Sequence, residues 1–221
     1  WQQAQPSKTY FTDFAGGGVL WVGASYKYHI FTSTGSWTAP VANADVIVVA
    51  GGGGAGREGG GGGAGGIRNL IAGIFTIGTS YTVTVGAGGA GHMTTPTAGG
   101  NSSIVTSVTT ISATGGGRGG TASAAASSGG SGGGGYLTSA GAAGNTGAYT
   151  PVEGFAGAAG YVVGTGASGS GGGGSKASSI GRQGANYFGN REVSGRIGEG
   201  VSLPDELTDC PLFDGLRTNS A

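Results

Sequence analysis

The chain has 221 residues, of which 56 are glycine and only 9% are charged, and its formal net charge is zero. Average usage would give about 7% glycine, so an ordinary α/β or all-α core is excluded; without net charge no field draws in nucleic acid or an anionic membrane. The single cysteine, Cys210, excludes an internal disulfide framework and a cysteine-based zinc site.

Disorder normally accompanies high net charge and few apolar residues, and this chain has neither, so an ordered fold is expected. No stretch approaches the roughly 20 apolar residues of a membrane span, and membrane insertion is not expected. Trp1 rather than Met opens the sequence, which reads as a processed chain or part of a longer one.

Four regions differ in texture: an attachment segment at 1–25, β-like runs with glycine islands at 26–114, a glycine-rich region at 115–179 and a charged segment at 180–221. In chain order the predicted strands are 19–22, 26–32, 45–50, 81–85 and 104–113, each rich in β-branched or aromatic residues and bounded by Gly, Pro or Asn. Gly35–Ser36 reads as the turn after the second. The apolar run 46–50 predicts a central strand covered on both faces. At 81–85, alternation puts Tyr81, Val83 and Val85 on one face and Thr82 and Thr84 on the other.

Strands run into glycine repeatedly, after Ala50, Val85 and Thr114, which reads as a recurring unit of strand and glycine rod. Glycines recur every third residue: Gly56, Gly59, Gly62 and Gly65, then Gly141, Gly144 and Gly147, then Gly154, Gly157 and Gly160. A period of three matches polyproline-II geometry, with three residues per turn and no internal hydrogen bonds. The fold class expected is therefore mainly β and irregular, with short antiparallel strands leading into a polyglycine-II helix bundle and very little α-helix. Collagen fails as the rival because the phase breaks and proline is scarce.

Chemistry-bearing motifs are weak. Gly51, Gly53 and Gly56, then Gly86, Gly88 and Gly91, match a dinucleotide fingerprint, but no acid follows between Glu58 and Glu153 to hold a ribose. Near Lys176, Ser175 and Ala177 break the phosphate-loop pattern, and Arg118 is a single arginine rather than an RNA-binding repeat. His29 and His92 have no carboxylate close in sequence, and Asp205, Glu206 and Asp209 read as the first turn of a short helix after Pro204. No catalytic residue, cofactor or metal is expected.

Apolar interruptions between glycine runs are the candidate contact residues: Tyr136, Leu137, Tyr149, Val152, Phe155 and Tyr161. Rigid aromatic tips on a scaffold give contact area at small entropic cost. The same residues also fit a structural part, plugging rod ends or burying against the sheet.

The ordered blocks at 26–40, 44–56, 59–66, 80–91, 99–104 and 111–120 resemble the glycine-rich domain of bacteriophage tail-fibre and other virion proteins, over about 26–179. In related tail-fibre tip adhesins, polyglycine-II helices pack in a sandwich and loops at its end bind host receptors. The resemblance implies a non-enzymatic virion protein, probing a host cell-surface receptor (a glycan or an outer-membrane protein), touching other virion proteins and forming a homo-oligomer. Residues 1–25 and those after 180 match no attachment domain, so a capsid decoration or filament subunit with aromatics at subunit contacts stays open. An ice-binding face is disfavoured because bulky interruptions spoil its flatness.

Overall fold

The computed structural model describes residues 18–22, 27–56 and 60–163, with short strands at 166–168, 185–187 and 191–193. Eight strands lie before the long glycine region: β1 (Val19–Val22), β2 (Lys27–Ile30), β3 (Gly35–Thr38), β4 (Asn43–Val49), β5 (Ile67–Ile74), β6 (Ser80–Thr84), β7 (Ser102–Val105) and β8 (Thr110–Ala113). Four three-residue strands follow, β9 (Tyr161–Val163), β10 (Gly166–Ser168), β11 (Ala185–Tyr187) and β12 (Arg191–Val193). The protein is mainly β: strands pair antiparallel in small sheets, and no helix occurs among the described residues.

The largest sheet has the order β3-β6-β7-β8, and β4-β5 forms a two-stranded ribbon packed against β7 and β8. Between them lies one apolar core: Trp37, Ala39, Val48, Ala50, Phe75, Tyr81, Val83, Ile104, Ile111 and Ala113. Phe75 packs edge-on to both Trp37 and Tyr81, with centroids 4.8 and 5.2 Å apart, a preferred arrangement of aromatic quadrupoles. The alternation expected in β6 is present, with Tyr81 and Val83 buried and Thr82 and Thr84 exposed.

Three local expectations are corrected. The strand at 45–50 is not covered on both faces: β4 has β5 as its one hydrogen-bonded neighbour, Val48 is buried at 6% exposure and Val49 stands 49% exposed. Its pleat sends Ala44, Val46, Val48 and Ala50 to the core and leaves the alternate face to solvent. The run 104–113 is a hairpin rather than one strand, because Thr106 Oγ1 accepts the N–H groups of Val108 and Thr109 (3.3 and 3.0 Å) and closes a turn. Gly35–Ser36 is not a turn but the start of β3, paired with Val83 and Thr82.

The sheets hand their chain on to glycine. β4 continues into 50–56 and 60–66 leads back to β5; β6 continues into 86–92 and 97–101 leads back to β7; β8 continues into 114–121. The chain then returns along 124–128, runs out along 129–135, back along 139–145 and out along 154–160. These segments belong to no strand or helix, and they bond to one another backbone to backbone.

Ala50, Gly53 and Gly56 donate to Gly66, Gly63 and Gly60 (3.0, 2.8 and 3.3 Å), whereas Gly51 and Gly54 donate to Gly100 and Thr97 (3.0 and 2.9 Å). The carbonyls of Gly52 and Ala55 accept from Gly89 and His92 (2.7 and 3.2 Å), and those of Gly51 and Gly54 from Gly116 and Gly119 (2.9 and 3.0 Å). A step of one residue thus turns the bonding direction to a different neighbour, and a step of three restores it. The same step links Gly60, Gly63 and Gly66 to Gly120, Gly117 and Thr114, and Gly132 and Gly135 to Phe155 and Ala158. The glycine islands at 51–66 and 86–100 and the region beyond 114 therefore form one bonded block.

Glycine is required inside that block by contact. A Cβ on Gly60 would collide with the carbonyl of Gly134, and one on Gly117 with that of Ser127. On its outer face the requirement lapses: a Cβ at Gly52 would meet its nearest atom at 3.7 Å and one at Gly88 at 3.9 Å. The N–H groups of Gly52, Ala55, Gly88 and Gly91 donate to no group among the described residues, and all four residues are exposed, where water serves as acceptor.

Candidate functional site

Because the segments run alternately out and back, their turns collect at two ends. The sheet end is organised by Glu153, which is 1% exposed. Its carboxylate accepts from the Thr114 N–H (2.8 Å) and the Gly147 N–H (3.3 Å), and its backbone carbonyl from the Ile67 N–H (3.1 Å). One residue thereby ties β5, the segment after β8 and the turn at 145–153 together. Backbone donors to a carboxylate are among the stronger hydrogen bonds, which offsets the burial of the acid.

Tyr149 belongs to this end. Asn145 Oδ1 accepts from the N–H groups of Tyr149 and Glu153 (3.2 and 3.3 Å), and Asn145 Nδ2 donates to the Tyr149 carbonyl (3.1 Å). The Arg68 guanidinium lies 3.7 Å over the Tyr149 ring, so one face of that ring is already taken. Val152 is 48% exposed beside it, and Phe155 is half-buried on the first turn of 154–160.

At the far end, Tyr136 and Leu137 close the turn between 129–135 and 139–145, with the Ser139 N–H donating to the Tyr136 carbonyl (2.8 Å). Leu137 has φ of 50°, a left-handed conformation that a branched side chain adopts at a cost. Both side chains are half-buried. Tyr161 opens β9 directly after Gly160, whose N–H donates to Ser139 of the same turn (2.9 Å).

Two further turns share this end. The turn at 92–96 is closed by the imidazole of His92 and plugged by Pro96, which is fully buried, while Met93 stands 57% exposed. The turn at 121–124 is closed by Thr121, whose Oγ1 accepts from the N–H groups of Ser123 and Ala124 and donates to the Thr94 carbonyl (2.8 Å). Gly56 bridges to His92 across the same end.

The six residues singled out from sequence thus divide: Tyr136 and Leu137, followed in the chain by Tyr161, lie at the far end, and Tyr149, Val152 and Phe155 at the sheet end. Sequence reasoning passed over Glu153, Asn145 and Arg68 because nothing in their neighbourhood announces a long-range partner. The fingerprint glycines of 51–56 and 86–91 lie in two parallel segments bonded through Gly89 and Gly52, which accounts for them without a nucleotide. Arg118 is engaged locally, its Nε donating to the Ala125 carbonyl (3.3 Å).

Among the described residues no three of His, Cys, Asp and Glu gather to hold a metal, and no helix is long and apolar enough to cross a membrane. Cys210, Lys176, Asp205, Glu206 and Asp209 lie outside the described residues. The Ser107 hydroxyl beside Tyr81 (2.5 Å), with lesser help from Thr76, holds its phenol below the usual tyrosine range against the raising effect of burial. That group belongs to the apolar core.

A family model described as a glycine-rich domain matches residues 31–206, most of the chain. The chain belongs to the glycine-rich domain family. No curated protein and no solved structure matches it.

Proposed function

We propose that the chain is a non-enzymatic structural protein of a phage virion, a tail-fibre or receptor-binding component whose glycine segments are polyglycine-II rods holding contact turns against a host surface. One observation carries this reading: hydrogen bonds recur every third residue between neighbouring glycine segments, as between Gly51 and Gly100 and again between Gly54 and Thr97. A three-residue bonding step fits a threefold extended helix, and a block so cross-linked gives turns a stiff platform. The platform favours recognition, since rigid loops lose little entropy on binding.

On this reading the far-end turns, with Tyr136, Leu137, Met93 and Tyr161, meet a glycan or outer-membrane protein, and Tyr149, held under Arg68, braces the sheet end. Other virion proteins and further copies of the chain are the remaining partners. The test is binding of the labelled chain to a panel of bacterial cells and purified envelope glycans, with Tyr136→Ala/Met93→Ala beside the unaltered protein. Loss of binding by roughly tenfold or more, with unfolding unchanged, is expected for a pair of central contacts. Binding that survives the double substitution, or no binding anywhere on the panel, contradicts the reading.

A second reading, a capsid decoration or filament subunit, draws on the other pole of the sheets. There Ile71 on β5 and Ile77 and Val108 on turns stand 74%, 64% and 67% exposed, and the Ser107 N–H donates to the Ile74 carbonyl at the end of β5. Exposed aliphatic side chains of this kind suit subunit contacts. Self-association that is lost in Ile71→Ser/Val108→Ser would favour it.

A further inference from the structure

The far-end turn at 92–95 is built around one nitrogen. His92 Nδ1 lies 3.3 Å from the Thr94 N–H donor and 3.1 Å from that of Thr95, and both donors are backbone amides with no other acceptor among the described residues. The hydroxyls of Thr94 and Thr95 also reach it, at 3.3 and 3.1 Å. An amide can only donate, so a nitrogen that receives two of them carries no proton, and the proton of the neutral ring is on Nε2. The turn is coupled outward: the Thr94 carbonyl accepts from Thr121 Oγ1, and the His92 N–H donates to the Ala55 carbonyl.

From this geometry we propose that the turn at 92–95 is an acid-released clasp: protonation at His92 Nδ1 turns the acceptor of both amides into a donor that only a threonine hydroxyl can receive, the two amide bonds are lost, and the turn opens. The ring takes its proton from solvent, to which His92 is exposed, and no other covalent bond is made or broken. Opening frees the Thr94 carbonyl from Thr121 and releases exposed Met93, so the shape of the far end changes with acidity. Imidazole is the side chain whose charge changes in the mildly acidic to neutral range. The inference concerns the turn alone and stands whether or not the far end meets a receptor.

The charged groups around the ring are few. The turn at 121–124 and the segments 86–91 and 97–101 bring none, and Arg118 on 114–121 is bonded to Ala125. Arg57 and Glu58 follow Gly56, which bridges to His92, and both lie outside the described residues. A background of Arg57→Gln/Glu58→Gln therefore belongs in the test.

The experiment is an amide NMR titration of the full chain between about pH 8 and about pH 5. The Thr94 and Thr95 amide signals are expected to move upfield together, with the same midpoint as the His92 ring, ending near their positions in His92→Ala. The movement persists in the Arg57→Gln/Glu58→Gln background. His92→Asn keeps a side-chain acceptor that does not titrate, and its Thr94 and Thr95 signals stay fixed over the range. If the ring titrates while both amides of the unaltered protein hold their positions, or if they move equally in His92→Asn, the proposal is overturned.

Discussion

At the scale of single residues, some glycines are needed by the block and others are not. Gly60→Ala sets a methyl group against the Gly134 carbonyl and Gly117→Ala sets one against Ser127. Because the colliding atoms are backbone, relief requires a segment to move, and a loss of about 1–3 kcal/mol or more is expected in urea unfolding. Gly52→Ala and Gly88→Ala make only ordinary van der Waals contact, so these variants should be unchanged or more stable by about 0.4–1 kcal/mol through a stiffer unfolded chain. Glu153 gives a second residue-scale prediction. Glu153→Ala leaves the N–H groups of Thr114 and Gly147 without their carboxylate and should lose about 1–3 kcal/mol, more than Glu153→Gln, which keeps one acceptor.

At the scale of elements, the sequence spoke clearly where burial alternates and poorly where a polar side chain makes the turn. The pattern of β6 was readable because Tyr81 and Val83 face the core and Thr82 and Thr84 do not. The β7–β8 hairpin was hidden because Thr106, not Gly or Pro, closes it. β5 went unread because Arg68 and Asn69 interrupt its apolar run, and because its irregular pairing with β4 involves Asp45, which accepts from the Ala72 N–H (2.8 Å) only once the strands have met. The uniform apolar run of β4 hid its one-sided burial. Val49→Thr should therefore change stability by less than about 0.5 kcal/mol, whereas Phe75→Ala, which empties the junction of Trp37 and Tyr81, should cost about 3–5 kcal/mol. Thermal and urea unfolding of the two variants compare these directly.

At the scale of the whole molecule, the three-residue recurrence of glycine was legible, but which segments neighbour one another was not. Repeats such as Gly154, Gly157 and Gly160 fix a spacing, and identical side-chain-free segments carry no code for partner choice. That choice comes from the strands, since β4, β6 and β8 launch their segments from adjacent places in packed sheets and the returning chain fills the gaps. The candidate contact residues were found as interruptions, and their division between two ends follows from the out-and-back course, which only the hydrogen bonds reveal. The central claim, a block bonded laterally at every third residue, is tested most directly by residue-resolved amide hydrogen exchange. Slow exchange is expected at Gly51, Gly53 and Gly54 and fast exchange at Gly52 and Ala55, with the same contrast between Gly89 and the unbonded Gly88 and Gly91. Uniformly fast exchange through 50–56 and 86–92, or protection at every second residue, would contradict it.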